Sequence, residues 1–162
     1  MKIRDRIQEL RRVKASELMP NPKNWRLHPA TQENALRSIL ADIGFADAAI
    51  ARETDAGLML IDGHLRTDVA SDAEIPVLIV DLDEDEADRL LATLDPIATM
   101  AEANSDMLEN LIKGIDFSED VSDLLNAIID RQEIPEPPDG FDTFDDEIET
   151  QYRCPKCNYE WG

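Results

Sequence analysis

The spacing of apolar side chains predicts a succession of short helices and strands over the first 131 residues. Residues 3–10 space their apolar positions as an amphipathic helix does, whereas residues 12–18 alternate enough to form a first strand. The elements predicted next are a helix over 31–43 with Thr31 as its N-cap, strands over 47–53 and 58–61 joined by a turn at 54–57, a short helix over 63–71 and a strand over 75–82. The last strand is continuously apolar, which indicates burial on both of its faces.

The pattern then becomes helical. Asp83 is the expected N-cap of a helix that runs to Leu94, where Asp95-Pro96 breaks or kinks it. Two further helices are predicted over 106–113 and 119–131, and methionines of this region are expected to pack against them, namely Met100 and Met107. The fold class is therefore α+β: a small mixed β-sheet with flanking helices and a helical C-terminal extension.

The composition changes after residue 131. Eight of the 18 residues from 133 to 150 are acidic, three are proline and none is basic, which is typical of a solvated linker. Phe141, Phe144 and Ile148 are spaced along it, so the segment is either a docking peptide that folds on a partner or a plain tether. The predicted organisation is a domain over 1–131, an acidic linker over 132–150 and a short tail over 151–162.

The charge of the chain is strongly negative and unevenly distributed. The 162 residues carry a net charge of −20, with +5 on residues 1–40 and −25 on the remainder. Most of the chain is therefore a poor general binder of DNA, although the basic segment can hold a small polyanion such as a nucleotide. The lack of an apolar run of roughly 20 residues, the charged start and the two cysteines predict a cytoplasmic protein without membrane contact.

The strongest chemical signal is the junction of a predicted strand and helix at Asp62-Gly63-His64-Leu65-Arg66. Glycine lets the backbone turn close to a ligand, and free N–H groups at a helix start favour an anion. Arg66 adds a forked donor for phosphate oxygens, His64 donates a hydrogen bond or shuttles a proton, and Asp62 implies a divalent cation or a base. The alternative is an ordinary turn with solvated side chains.

Several motifs in a fixed order resemble the ParB N-terminal (ParB/sulfiredoxin-like) family. They are Asn21-Pro22-x-Asn24-x-Arg26, a helix, a β-hairpin, Asp62-Gly63-His64-x-Arg66 and the strand that begins Ile75-Pro76-Val77. The resemblance covers roughly residues 11–112, and the short ParB-like proteins of phages and mobile elements are the most similar type. It implies Mg²⁺-dependent binding of CTP or ATP in a DNA-linked process, with nucleotide hydrolysis as a further expectation.

The resemblance also assigns roles to residues. Gly63, His64 and Arg66 stand where the family grips the nucleotide phosphates. Arg26 is expected to close over the same phosphates, and Asn24 is expected to shape the loop that carries it.

The chain departs from the family at other positions. Asp95 stands in the segment where ParB has Glu-Asn-x-x-Arg, and its carboxylate is expected to hold the cation. Asp62, His64 and Asp95 are therefore the candidate catalytic residues. Neither cysteine occupies the catalytic position of sulfiredoxin, so sulfinic-acid reduction is disfavoured. A DNA-reading helix-turn-helix domain is not evident, so direct DNA binding is doubtful.

The tail carries a second signal, Cys154-Pro155-Lys156-Cys157, which resembles one knuckle of a zinc ribbon. Two thiolates at this spacing can wrap one tetrahedral Zn²⁺, but structural zinc needs four ligands. The missing pair comes from a second copy in a homodimer, from a protein partner, or from His28 or His64 folding back; the further alternative is that no metal binds.

Two other functions compete with nucleotide binding. The acidic surface and the tail suit an adaptor or inhibitor that binds a basic nucleic-acid-handling protein, even as a DNA mimic. A ParB-like nuclease with a metal on Asp62, His64 and Asp95 ranks last, because the chain lacks the positive charge that duplex DNA requires. Trp25 either anchors its loop to the core or stacks on a base.

Overall fold

The structure, a computed structural model, describes residues 1–130 and 152–161. The chain divides after residue 132 into two units, and each is described by itself. The first unit contains, in chain order, β1 (Ile7–Lys14), a 3-10 turn (Ala15–Glu17), β2 (Leu18–Met19), α1 (Ala30–Asp42), β3 (Ala49–Thr54), β4 (Gly57–Asp62), α2 (His64–Val69), β5 (Glu74–Val80), α3 (Glu84–Thr99), α4 (Ser105–Ile112) and α5 (Glu119–Asp130).

Five strands of the first unit form one mixed sheet in the order β1-β5-β3-β4-β2. The pairs β1–β5 and β3–β4 are antiparallel, and the pairs β3–β5 and β2–β4 are parallel. The predicted hairpin is confirmed as β3 and β4, which leave only residues 55 and 56 between them. The α+β fold class with a mixed sheet and flanking helices is confirmed.

The sheet is packed on both faces. Successive side chains of a strand point to opposite faces, so consecutive residues of β4 belong to different buried clusters. Leu60 packs in a cluster formed mainly by other strands, and Ile61 packs in a cluster that includes residues of α3. Ile79 and Val80 of β5 divide in the same way, which confirms the predicted double burial of this strand. The β4–α2 junction is thereby held between two packed layers.

The N-terminal segment differs from its prediction. Residues 7–14 form β1, so the predicted helix over 3–10 is wrong, and the 3-10 turn splits the strand predicted over 12–18. The side chains of Ile3 and Leu10 remain 79% and 59% exposed, so their helical spacing does not mark a buried face. The segment pairs with β5 instead, because that strand would otherwise leave one row of backbone groups without partners.

The helix boundaries also differ in places. Pro29, not Thr31, occupies the N-cap position of α1. Asp83 is the N-cap of α3 as predicted, and its side chain and that of Glu86 form a capping box. The helix does not end at Leu94 but continues through Pro96 to Thr99, since a proline removes only one N–H from the ladder.

The C-terminal helices expose part of their apolar surface. α4 and α5 form close to where they were predicted, and α5 packs against α1 and α4. Met100 and Met107 are 79% and 70% exposed, so the expectation that they pack in the helical region is wrong. None of the helices in the described ranges has the length and apolarity that a bilayer crossing requires.

The second unit contains two short strands, β6 (Tyr152–Arg153) and β7 (Glu160–Trp161), which pair in antiparallel fashion. The linker predicted over 132–150, with Phe141, Phe144 and Ile148, lies outside the described residues. The predicted domain boundaries therefore stay predictions.

Candidate functional site

A cavity of about 420 Å³ opens beside the β4–α2 junction and collects most of the residues singled out in the sequence. We call it the Arg26–Arg66 cavity. It has the size of a small-molecule site. Its lining residues are Arg26, His28, Gln32, Ala35, Leu36, Ile39, Asp62, Gly63, His64, Leu65, Arg66, Asp95, Val121 and Leu124.

Gly63 makes the turn that brings the end of β4 into the cavity. Its φ is +92°, a conformation that L side chains rarely adopt. A Cβ at this position would lie 2.8 Å from the Cβ of Ala49 and 3.1 Å from Nη1 of Arg66. The backbone can therefore take this path beside Arg66 only because residue 63 is glycine.

Arg26 joins three elements on the loop side of the cavity. Its guanidinium group pairs with Asp62 at 2.9 Å, at the end of β4, and with Asp95 of α3. The amide side chain of Asn24 accepts a hydrogen bond from the backbone N–H of Arg26 at 3.4 Å, which helps to shape the loop. The Arg26 side chain is only 17% exposed, so solvent screens these pairs less than ordinary surface ion pairs.

Arg66 occupies the helix side of the same cavity. It projects from the first turns of α2, where its side chain is also 17% exposed, and it pairs with the carboxylate of Asp47. Asp47 itself is 72% exposed, so water competes for this contact. Arg66 therefore lies in a sheltered position with a partner that solvent or a ligand can replace.

His64 is a buried neutral hydrogen-bond donor between two cavities. The backbone N–H of Asn21 donates to its Nε2 at 3.1 Å, so in the neutral ring the proton resides on Nδ1. Burial, and then the charge of Arg26, lower the pKa of His64 from its ordinary value. A second cavity of about 510 Å³ also contacts His64, on the side of Asn24 and Thr67.

Three residues that line the cavity carry buried donors without acceptors. In the part of the chain that the structure describes, the buried side-chain atoms without a hydrogen-bond partner are Arg26 Nε, His64 Nδ1 and Arg66 Nη1. All three residues line the Arg26–Arg66 cavity. A buried donor left unsatisfied costs about 1–3 kcal/mol, so an acceptor-rich ligand would recover free energy here if small rotations of these side chains turned the donors toward it.

The ion pairs of the site contain two arginines and three aspartates, so these side chains sum to a net charge of −1 in the absence of a ligand. Arg26 is matched by Asp62 and Asp95, and Arg66 by Asp47. α2 is only six residues long, so positive potential must come mainly from the two arginines rather than from a helix dipole. An incoming polyphosphate would need a compensating cation.

Asp62 and Asp95 fit the needs of Mg²⁺. Both carboxylates contact the same guanidinium group and line the same cavity. No cluster of three or more metal-ligating His, Cys, Asp or Glu side chains occurs within residues 1–130 or 152–161. Mg²⁺ is commonly held by one or two carboxylates together with substrate phosphates and water, so two carboxylates are sufficient.

The structure separates the predicted site residues into two groups. All the predicted nucleotide-binding and catalytic residues except Asn24 line the Arg26–Arg66 cavity. They are Arg26, Asp62, Gly63, His64, Arg66 and Asp95. Asn24 lines the neighbouring cavity and contacts the loop backbone instead.

Several residues of the site carried no signal in the sequence. Asp47 precedes β3 and pairs with Arg66 across 19 positions. Asn21 belongs to a motif that the sequence analysis singled out, but the motif did not predict that its backbone N–H sets the His64 tautomer. Val121 and Leu124 of α5 form part of the apolar wall. Apolar periodicity predicts the helix α5, but only the tertiary structure shows that it packs against α1 and lines the cavity.

Trp25 is anchored rather than free. Its indole N–H donates to the backbone carbonyl of Leu91 at 3.3 Å, which supports the interpretation as a loop anchor. The side chain is 56% exposed and lines a third cavity of about 540 Å³, which shares Arg26 and Asp95 with the main one.

The two cysteines lie in the second unit, and both are free thiols. Hydrogen bonds from the backbone N–H groups of Lys156 and Cys157, and then a contact with the Cys157 thiol, lower the pKa of Cys154. This arrangement favours the thiolate that metal binding requires.

No family model matches the chain, and no curated protein matches it. The chain is similar in structure to the C-terminally truncated chromosome-partitioning protein ParB from Caulobacter crescentus, solved in complex with CTP-gamma-S. The two are 14% identical, the match covers 75% of this chain and 74% of that one, and the TM-score is 0.55. This likeness shows the fold: the first unit has an α+β fold similar to that of a ParB protein.

Two further solved structures match more loosely, each with a TM-score of 0.42. One is a Pnob8-like ParB-N domain, 20% identical, over 76% of this chain and 45% of that one. The other is the Caulobacter crescentus protein complexed to the centromeric parS site, 14% identical, over 72% of this chain and 64% of that one.

Proposed function

We propose that the protein binds a nucleoside triphosphate, CTP or ATP, together with Mg²⁺ in the Arg26–Arg66 cavity. The observation that carries the proposal is the convergence of two sheltered arginines, a glycine turn and three unpartnered buried donors on one cavity of about 420 Å³. The similarity of the fold to that of a protein solved with CTP-gamma-S supports a nucleotide as the ligand.

Phosphate binding would begin on the helix side. Arg66 exchanges the exposed carboxylate of Asp47 for phosphate oxygens, which form strong charge-assisted hydrogen bonds with a guanidinium group. The Nδ1–H of His64 adds a neutral donor, because the lowered pKa keeps this ring uncharged near neutral pH. Arg26 closes the opposite side from its loop.

Asp62 and Asp95 would hold Mg²⁺, which neutralises phosphate charge in a site that already contains carboxylates. The same two side chains and His64 are our candidates for catalysing hydrolysis, a step that this proposal ranks below binding. We place the protein in a DNA-linked process of a phage or mobile element.

Calorimetric titration of the full chain with CTP and with ATP, each with and without Mg²⁺, tests the proposal. We expect binding of at least one nucleotide, stronger with Mg²⁺, and a loss of affinity of about tenfold or more in Arg66→Ala. Arg89→Ala is the matched control, since this exposed arginine lies on α3 away from the cavity. If neither nucleotide binds, or if both variants bind as the wild type does, the proposal is wrong.

A further inference from the structure

Two thiols lie in one turn of the second unit. The backbone N–H of Cys154 donates to the carbonyl of Tyr159 at 2.7 Å, and that of Asn158 donates to the carbonyl of Cys154 at 2.9 Å. Asn158 has a φ of +60°, which lets the chain reverse immediately after Cys157. Both cysteines are therefore presented by one tight loop between β6 and β7.

This hairpin gains little stability from burial. Each of its strands has two residues, and between residues 152 and 159 every side chain is exposed except that of Cys154, which is half-buried. Two-stranded hairpins are marginally stable by themselves, and units this small are normally held by a disulfide bond or a metal ion. The two thiols are free, so a metal ion bound by them would supply this stabilisation.

The surroundings of the thiols suit a soft metal ion. The sulfur of Cys154 accepts hydrogen bonds from the backbone N–H groups of Lys156 and Cys157, and it contacts the Cys157 thiol. Such donors orient thiolates and stabilise their charge in metal sites. Thiolate pairs select Zn²⁺ over hard cations such as Mg²⁺, so this site and the carboxylates of the first unit would bind different metals.

One chain provides only half of a tetrahedral zinc site. The sequence has two cysteines and two histidines. His64 is 6% exposed and its Nε2 accepts the N–H of Asn21, while Nδ1 of His28 contacts Gln32 at 2.9 Å. The burial of His64 keeps its ring from an external ion, and His28 by itself would bring the ligands of one chain to only three, whereas a second copy supplies two more thiols of the same kind.

Charge favours a second copy as the source of those thiols. The remainder of the chain beyond residue 40 is strongly acidic, but residues 152–161 carry Arg153 and Lys156 against Glu160 alone. Two such tails can approach each other without the repulsion that the rest of the chain would cause. A zinc ion with four thiolates bears a net negative charge, which these basic side chains would balance.

We propose that Cys154 and Cys157 of two copies bind one Zn²⁺ through four thiolates and so join two chains at their tails. A twofold axis through the metal makes the two contributions identical, as closed homodimers require. The proposal does not depend on nucleotide binding.

The test measures metal content and mass of the full chain, purified under reducing conditions and loaded with Zn²⁺ or Co²⁺ alone. We expect about one metal ion per two chains, the mass of a dimer in sedimentation, and a Co²⁺ charge-transfer band with the intensity of four thiolates. A chelator should return the protein to monomers.

The double variant Cys154→Ser, Cys157→Ser is the control, because these substitutions leave the packed first unit unchanged. It should be monomeric and metal-free while still giving the circular dichroism of the folded chain. Each of four outcomes would overturn the proposal. The first two are a protein that retains no metal and a protein that contains an oxidised Cys154–Cys157 disulfide. The other two are one bound ion per monomer that is lost in His28→Ala, and a dimer that persists in the double variant.

Discussion

The two sides of the Arg26–Arg66 cavity hold their arginines in different ways. On the loop side, Arg26 is tied to Asp62 and Asp95, which are 22% and 31% exposed. On the helix side, Arg66 is equally sheltered, yet its partner Asp47 is 72% exposed. The first arrangement fastens a loop to the sheet and to α3, whereas the second is easily exchanged. Under the proposed function, Arg26 would serve stability as well as binding, and Arg66 would serve mainly binding.

The largest effect is expected at the glycine beside Arg66. Gly63→Ala forces a Cβ into a left-handed conformation and to within 2.8 Å of Ala49, so we expect a loss of about 2–4 kcal/mol in the free energy of unfolding. Gly44→Ala is the matched control, with a φ of +86° but open space around the added Cβ, and should lose only about 1 kcal/mol. Denaturant titrations of both variants give these values; equal losses would mean that the contact with Ala49 is unimportant.

The next effect separates the two arginines. Arg26→Ala leaves two partly buried carboxylates unpaired and should lower the free energy of unfolding by about 2 kcal/mol. Arg66→Ala breaks a contact with an exposed partner and should lower it by less than about 1 kcal/mol. Chemical denaturation measures both. If Arg66→Ala is the more destabilising change, the two sides do not differ as described.

A substitution on α3 sharpens the loop side of the comparison. Asp95→Asn removes one of the two carboxylates that hold Arg26 and one of the two proposed Mg²⁺ ligands. Affinity for the metal-free nucleotide should therefore rise about threefold while the gain from Mg²⁺ shrinks. Asp85→Asn, an exposed change on the same helix, should alter neither value. Nucleotide titrations with and without Mg²⁺ measure both values. An unchanged dependence on Mg²⁺ in Asp95→Asn would mean that this carboxylate does not bind the cation.

The smallest expected effect is a pH dependence of the free energy of unfolding that comes from His64, which lines the cavity together with both arginines. Burial and the charge of Arg26 lower the pKa of His64 below its ordinary 6.5, so the unfolded chain binds this proton more readily than the folded chain does. The free energy of unfolding therefore has its full value above pH 6.5, and it decreases as the pH falls from 6.5 to the pKa of His64 in the folded chain. Unfolding curves at about pH 7 and pH 5 should therefore differ less in His64→Gln than in the wild type. Equal differences would show that another group carries the dependence.

The sequence alone predicted the local features of this site. The hairpin, the turn at Gly63, the cap at Asp83 and the doubly buried strand β5 follow from residue types and spacing over a few positions. Residues 62–66 were also found in this way, whereas Arg26 and Asp95 were assigned through the resemblance to the ParB N-terminal family. What these side chains contact could not be predicted, because each contact joins distant parts of the chain.

Only the tertiary structure decided the remainder. Residues 7–14 form a strand rather than the end of a helix because the edge of β5, 60 or more positions away, needs backbone partners. Arg26 is shared between β4 and α3, and Arg66 is matched by a residue before β3, through side-chain contacts across 19 to 69 positions. Local propensity is set by neighbours in sequence, whereas strand pairing and charge compensation are set by neighbours in space. The turn at Gly63 and the charged residues beside it were therefore predicted from the sequence, whereas the difference between the firmly paired Arg26 and the exchangeable Arg66 was seen only in the fold.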